Sequence, residues 1–166
     1  MLIGEQPGDK EDIAGHPFVG PAGRILEESL NEAGINRKDV YVTNAVKHFS
    51  WTPAERGKRR IHKKPRYSEI KACHPWLEAE IGVTHPDLII CLGATAAQSL
   101  FGREFSVMRN RGKFMPSPLA PYVMATVHPS SILRAQDEES RREQKAAFIA
   151  DLRVAAAQLR KRRRAA

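Results

Sequence analysis

The sequence predicts an α/β protein, a three-layer α/β/α sandwich built on a mostly parallel sheet of about four strands. Three observations carry that expectation. Short β-branched runs alternate along the chain with segments of helical periodicity. Leu88-Ile89-Ile90-Cys91-Leu92 is apolar without interruption, as a parallel strand covered on both faces must be. The 166 residues, 42% of them hydrophobic, suffice for one core, and neither an internal repeat nor a linker divides them.

The chain opens on a strand over residues 1–3, which runs into the turn-rich Gly4-Glu5-Gln6-Pro7-Gly8-Asp9. So abrupt a start suggests a natural chain, or an ancestor, that is longer at this end. Residues 21–34 read as a helix, because Ile25, Leu26, Leu30 and Ala33 recur at helical spacing between Pro21 and Gly34. Residues 40–46 form a β-branched strand, and residues 47–66 a basic loop. A second helix covers 67–83, with Ile70, Trp76, Leu77 and Ile81 on its apolar side. The strand at 88–92 is followed by a short helix over 94–100, a fourth strand over 122–127 and a long helix from 138 to about 160. Ligands of open parallel sheets bind beyond the carboxyl ends of the strands. That rule singles out the loops after Ile3, Val42, Leu92 and Val127.

Charge points to a polyanionic partner. The 27 Lys and Arg outnumber the 19 Asp and Glu, for a formal net charge of +8, and neutralising phosphates releases condensed counterions. Part of the excess is the run Arg160-Lys161-Arg162-Arg163-Arg164, expected as a frayed basic tail (160–166) outside a domain of residues 1–159. No apolar run is long enough to cross a bilayer and no charged-then-apolar leader is present, which makes the cytoplasm the default compartment. Two cysteines, Cys73 and Cys91, are no disulfide framework, and two thiolates alone cannot close a tetrahedral metal site.

Four segments carry unusual chemistry. The first loop, from Gly4 through Asp12 to Pro17-Phe18-Val19-Gly20-Pro21-Ala22-Gly23, has glycines that permit close backbone approach to a ligand. The alternative, a nucleotide phosphate loop, is weakened: neither glycine fingerprint is present, and Glu5, Asp9 and Asp12 would repel phosphate. A carboxylate-lined loop suits a developing positive charge. In Val42-Thr43-Asn44-Ala45, the Asn44 amide either satisfies turn backbone or reads the edge of a pyrimidine. His128-Pro129-Ser130-Ser131-Ile132-Leu133-Arg134 follows the fourth strand, where a histidine can hydrogen-bond a departing base and serines can hold phosphate. Lys58-Arg59-Arg60-Ile61-His62-Lys63-Lys64 reads by itself as a solvated or phosphate-contacting stretch.

In this order the four segments resemble the uracil-DNA glycosylase superfamily, in particular its iron–sulfur family 4 branch and the UdgX-type uracil-DNA-binding members of that branch. The resemblance runs from Leu2 to about Arg153. It implies that Phe18 stacks on an extruded uracil, that Asn44 reads its edge, and that Gly4 and Gly8 line the same substrate site. His128 would hydrogen-bond uracil O2, and Glu5 would lie near C1′, with Gln6 and Asp9 completing the catalytic set. His62 would bond to C1′ once uracil leaves, while Lys58, Arg59, Arg60, Ser130, Ser131 and Arg134 contact DNA. The implied partner is uracil-containing DNA, single- or double-stranded, bound by a monomer.

The chemistry supports such a set. Breaking a uracil N-glycosidic bond creates a cationic sugar and an anionic base, so opposite fields are needed at two points. A carboxylate serves the sugar and hydrogen-bond donors serve the base. A carboxylate adduct at C1′ hydrolyses readily, whereas an imidazole adduct need not, which leads to single-turnover capture. Three rivals stand beside this reading: an ordinary turnover glycosylase, a non-catalytic nucleic-acid binder, and a doubly wound nucleotide-binding enzyme that the missing phosphate fingerprint disfavours. The resemblance also implies a 4Fe–4S cluster with Cys73 and Cys91 as possible ligands. Four thiolates are the usual complement, and the Cys pair that relatives carry upstream of the first motif is absent from this sequence.

Overall fold

Alternation within one strand sets the layers of the molecule. In the computed structural model, which describes residues 1–54 and 60–165, β5 (Leu88–Leu92) is buried along its whole length. Leu88, Ile90 and Leu92 face one helical layer while Ile89 and Cys91 face the other, as the period of two requires. The elements before it are β1 (Leu2–Gly4), α1 (Asp9–Ala14), α2 (Pro21–Glu32), a 3-10 turn (Arg37–Asp39), β2 (Val42–Asn44), β3 (Trp51–Pro53), β4 (Arg60–His62) and α3 (Tyr67–Thr84). After it come α4 (Ala94–Phe101), α5 (Val107–Asn110), β6 (Phe114–Met115), β7 (Tyr122–Thr126), α6 (Pro129–Leu133) and α7 (Glu138–Ala165).

The sheet order is β2-β1-β5-β7-β6. The first four strands run parallel and only β6 is antiparallel, against β7. The sandwich expected from sequence is therefore the fold, with a fifth strand added at one edge. That strand is two residues long beside Gly112 and Pro116, too short for any periodicity to announce it. One face of the sheet packs Leu26 and Leu30 of α2, Ile132 of α6 and Phe148, Leu152 and Ala155 of α7. The other packs Leu77 and Ile81 of α3, Ala96 and Ala97 of α4 and Val107 of α5. Phe148 is fully buried among these contacts. Phe148→Ala is expected to cost about 3–5 kcal/mol in a urea titration, because transfer and cavity terms add.

Helix α2 ends as its sequence dictates. Gly34 takes φ +73°, and Ile35 N–H closes back on the Leu30 carbonyl at 2.9 Å, a left-handed cap that favours glycine. Two expectations need correction. Trp76 is 68% exposed and is not part of the apolar side of α3, because Ile70, Cys73, Leu77 and Ile81 complete the buried stripe without it. The basic run from Arg160 is no separate tail: α7 continues through it, with Arg162 paired to Asp87 at 2.8 Å and Arg163 reaching Asp39 at 3.8 Å. The expected basic loop after β2 contains a two-stranded ribbon, β3 against β4, that is separate from the main sheet. Lys58 and Arg59 of that stretch lie outside the described residues. Among the described residues no helix is long and apolar enough to cross a membrane.

Candidate active site

The carboxyl ends of β1, β2, β5 and β7 open onto one cleft of about 960 Å³. Glu5, Phe18, Asn44, His62, Gly93 and His128 border it. It lies where parallel-sheet topology places a ligand.

One side of the cleft is closely packed. A Cβ at Gly4 would collide with Asn44 Oδ1 and come within 2.8 Å of the Phe18 ring, so only glycine lets those two side chains close over β1. Phe18 itself sits at φ +60°, a costly conformation for an aromatic residue, and its carbonyl occupies the space a Cβ of Gly23 would take. Asn44 is 6% exposed and its side chain borders the cleft. An amide there can offer a ligand both a donor and an acceptor.

His128 stacks beside Phe18, ring centroids 5.6 Å apart and planes 28° off parallel. Its Nδ1 accepts the Ser130 backbone N–H at 3.1 Å and lies 2.8 Å from the Ser130 hydroxyl. Burial, with Arg134 and His62 nearby, lowers its pKa to about 4. The ring is therefore neutral at pH 7, and with Nδ1 engaged as an acceptor its proton is on Nε2. The unfolded chain takes up a proton near pH 6.5 and the folded one resists until about 4. This group thus contributes stability that is present above pH 6.5 and lost as pH falls toward 4. Thermal melts of wild type and His128→Asn between pH 7.5 and 4.5 should show the steeper decline in wild type. Glu69 acts lower: the Arg66 backbone N–H and His48 hold its carboxyl down at about 2, so its contribution is lost between about 4.5 and 2.

The opposite side of the cleft carries charge. Glu5 Oε1 lies 3.2 Å from His62 Nε2, and its other oxygen accepts the hydroxyl proton of Thr95. His62 comes from β4, where it pairs with Trp51 of β3, and its side chain is half exposed at the cleft edge. The sequence surrounds His62 with cations, yet its nearest charged neighbour is a carboxylate.

Two sets of contacts hold the ribbon that brings it there. Gln6 donates from Nε2 to the carbonyls of Ser50, at 3.2 Å, and Lys63, at 3.0 Å, and its Oε1 accepts Ser50 N–H at 3.1 Å. Those residues flank the two strands, so one amide clasps the foot of the ribbon to β1. Arg60 bonds Asp9 at 2.5 Å and Asp12 at 2.6 Å, with its guanidinium 5.1 Å over the Phe49 ring.

Several of the expected site residues have partners within the chain. The Arg60 guanidinium is paired with the carboxylates of α1. Asp9 is the other half of that pair and Gln6 has both ends of its amide engaged, so both hold the ribbon while they line the cleft. Gly8 caps α1, its N–H donating to Glu11 at 2.5 Å. Ser130 and Ser131 direct their hydroxyls at His128 Nδ1 and at its carbonyl, respectively, and Arg134 donates to Ser130 at 3.2 Å. Those three shape the His128 turn. Sequence reasoning missed Thr95 and Gly93, although the loop after Leu92 was singled out by topology; an ordinary Gly-Ala-Thr stretch carries no chemical signal. A Cβ at Gly93, already at φ +91°, would lie 2.9 Å from His128 Cβ. Met108, 73% exposed, also lines the cleft, and nothing in its local pattern announced it.

The implied iron–sulfur cluster can be tested on the donors present. Cys91 is fully buried within β5, and burial pushes its thiol up to about 12. Cys73 accepts Lys47 N–H at 3.4 Å and lies 3.8 Å from His48 Nδ1. A cluster takes four ligands, and among the described residues no three His, Cys, Asp or Glu side chains converge as a metal-holding group. The described residues therefore do not by themselves assemble the four ligands of a 4Fe–4S cluster.

Comparison with known proteins agrees with this geometry. The sequence model described as the Uracil DNA glycosylase superfamily matches residues 1–153. The chain is 39% identical over 143 residues to the type-4 uracil-DNA glycosylase of Thermotoga maritima, covering 86% of this chain and 70% of that protein. It is 38% identical over 141 residues to the type-4 enzyme of Pyrobaculum aerophilum, covering 81% and 67%. The type-5 uracil-DNA glycosylase of Thermus thermophilus is 31% identical over 150 residues, covering 78% and 64%. The chain thus spans about two thirds of the length of each relative. On the family match and these identities, the chain belongs to the uracil DNA glycosylase superfamily and is type-4-like.

Proposed function

We propose that this protein excises uracil from DNA and is itself captured on the sugar through His62. The observation that carries this reading is the pairing, across one cleft, of a neutral Nε2–H donor and a cleft-lining amide with a carboxylate beside an imidazole. The type-4 relatives, which are named for uracil-DNA glycosylase activity, support the substrate.

The extruded base enters between Phe18, which stacks on its face, and Asn44, whose amide pairs with its donor–acceptor edge. As the C1′–N1 bond breaks, the bonding pair leaves with uracil. His128, donating from Nε2, stabilises the resulting anion without giving up a proton. Glu5 stabilises the positive charge that develops at the sugar. The Nε2 proton of His62 passes to Glu5 Oε1, 3.2 Å away, and the lone pair so freed bonds to C1′. The product is an N-glycosidic link to imidazole, a poor leaving group, so the protein stays attached.

The single-turnover step separates this reading from an ordinary turnover glycosylase of the same family. Incubation with a uracil-containing oligonucleotide, followed by a denaturing gel, should show free uracil and a slower protein–DNA band; a thymine oligonucleotide should show neither. Uracil release with no persistent band would favour turnover. No uracil release at all would end both.

A further inference from the structure

We infer that Thr95 is a positioning residue for excision, its hydroxyl fixing the Glu5 carboxylate so that Oε1 alone faces the reacting sugar. This rests on the proposed role of Glu5. Thr95 is 1% exposed, in the first turn of α4, and its Oγ1 donates to Glu5 Oε2 across 90 residues of sequence. The Glu5 oxygen that Thr95 leaves free is the one 3.2 Å from His62. Each end of the carboxylate therefore has a different partner, and neither partner can exchange for the other.

A carboxylate held at one oxygen cannot turn about its terminal torsion, which is otherwise soft. Without that anchor Glu5 could present either oxygen, or swing toward the ribbon, and the fixed field at C1′ would become an average over orientations. Thr95 is itself held. The loop that carries it starts at Gly93, whose N–H donates to the Thr126 carbonyl of β7 at 2.8 Å, two residues before His128. A Cβ at Gly93 would crowd His128 as well. One short turn thus sets the distance between the group serving the sugar and the group serving the base.

The test uses the full chain and a uracil-containing oligonucleotide under single-turnover conditions, with Thr95→Val, Thr95→Ala, Thr95→Ser, Glu5→Gln and the Glu5→Gln/Thr95→Val pair. Thr95→Val and Thr95→Ala should slow uracil release about 10- to 100-fold at saturation, with the half-saturating concentration unchanged and the melting transition intact. Thr95→Ser, which keeps the hydroxyl, should restore the rate to within about threefold of wild type, and Thr95→Val should add no loss in the Glu5→Gln background. Wild-type rates in both hydroxyl-less variants beside a crippled Glu5→Gln would overturn this inference alone, as would an equal loss from Thr95→Val with and without Glu5. A wild-type rate in Glu5→Gln itself would overturn the Glu5 reading and this one together.

Discussion

Glu5→Gln is expected to slow uracil release by about 10²- to 10⁴-fold, the range for removing a positioned charge or proton acceptor from a reacting centre. The substitution keeps shape and one hydrogen-bond acceptor, so the Thr95 contact can persist while the negative charge is lost. The effect should fall on the rate at saturation and leave DNA affinity nearly unchanged, because Glu5 acts on charge that exists only in the transition state. Covalent capture should fall at least as far, since the same carboxylate faces the attacking imidazole. Single-turnover release of labelled uracil, measured across protein concentrations, reads both quantities. A large rise in the half-saturating concentration with an unchanged limiting rate would contradict a transition-state role.

His62→Ser should abolish the covalent band and leave uracil release in place, with a free abasic strand as product. A serine hydroxyl is too short to replace the imidazole at C1′, and the space it leaves admits water. The base-side groups Phe18, Asn44 and His128 are on other elements and do not depend on His62 for their position. A denaturing gel, with and without alkaline cleavage of the abasic site, separates the two outcomes. A covalent band that survives in this variant would remove His62 from the attacking role.

The residues legible from the sequence were those whose chemistry is unusual at a strand end. Asn44 and His128 stand at the carboxyl ends of strands, where sheet topology places a ligand. Glu5 and Phe18 lie in a loop whose carboxylates argue against phosphate. Thr95 was illegible for the opposite reason: Gly-Ala-Thr-Ala-Ala opens a helix anywhere, and only the approach of β1 to β5 makes one hydroxyl the partner of a carboxylate. Arg60 and Asp9 were visible as charged residues, but their mutual pairing was not. A cation in a basic run reads as a phosphate contact until something shows which anion it already holds.

Layering, the parallel strands and the cleft position followed from the sequence alone, because hydrophobic period and strand order are short-range or topological properties. What only the folded molecule decided was distance between segments far apart in the chain. The Gln6 clasp, the Arg60 bridge to α1 and the Thr95 anchor all join residues 40 or more positions apart. Such contacts are set by how the sheet twists and its loops pack, and no local pattern of side chains encodes them.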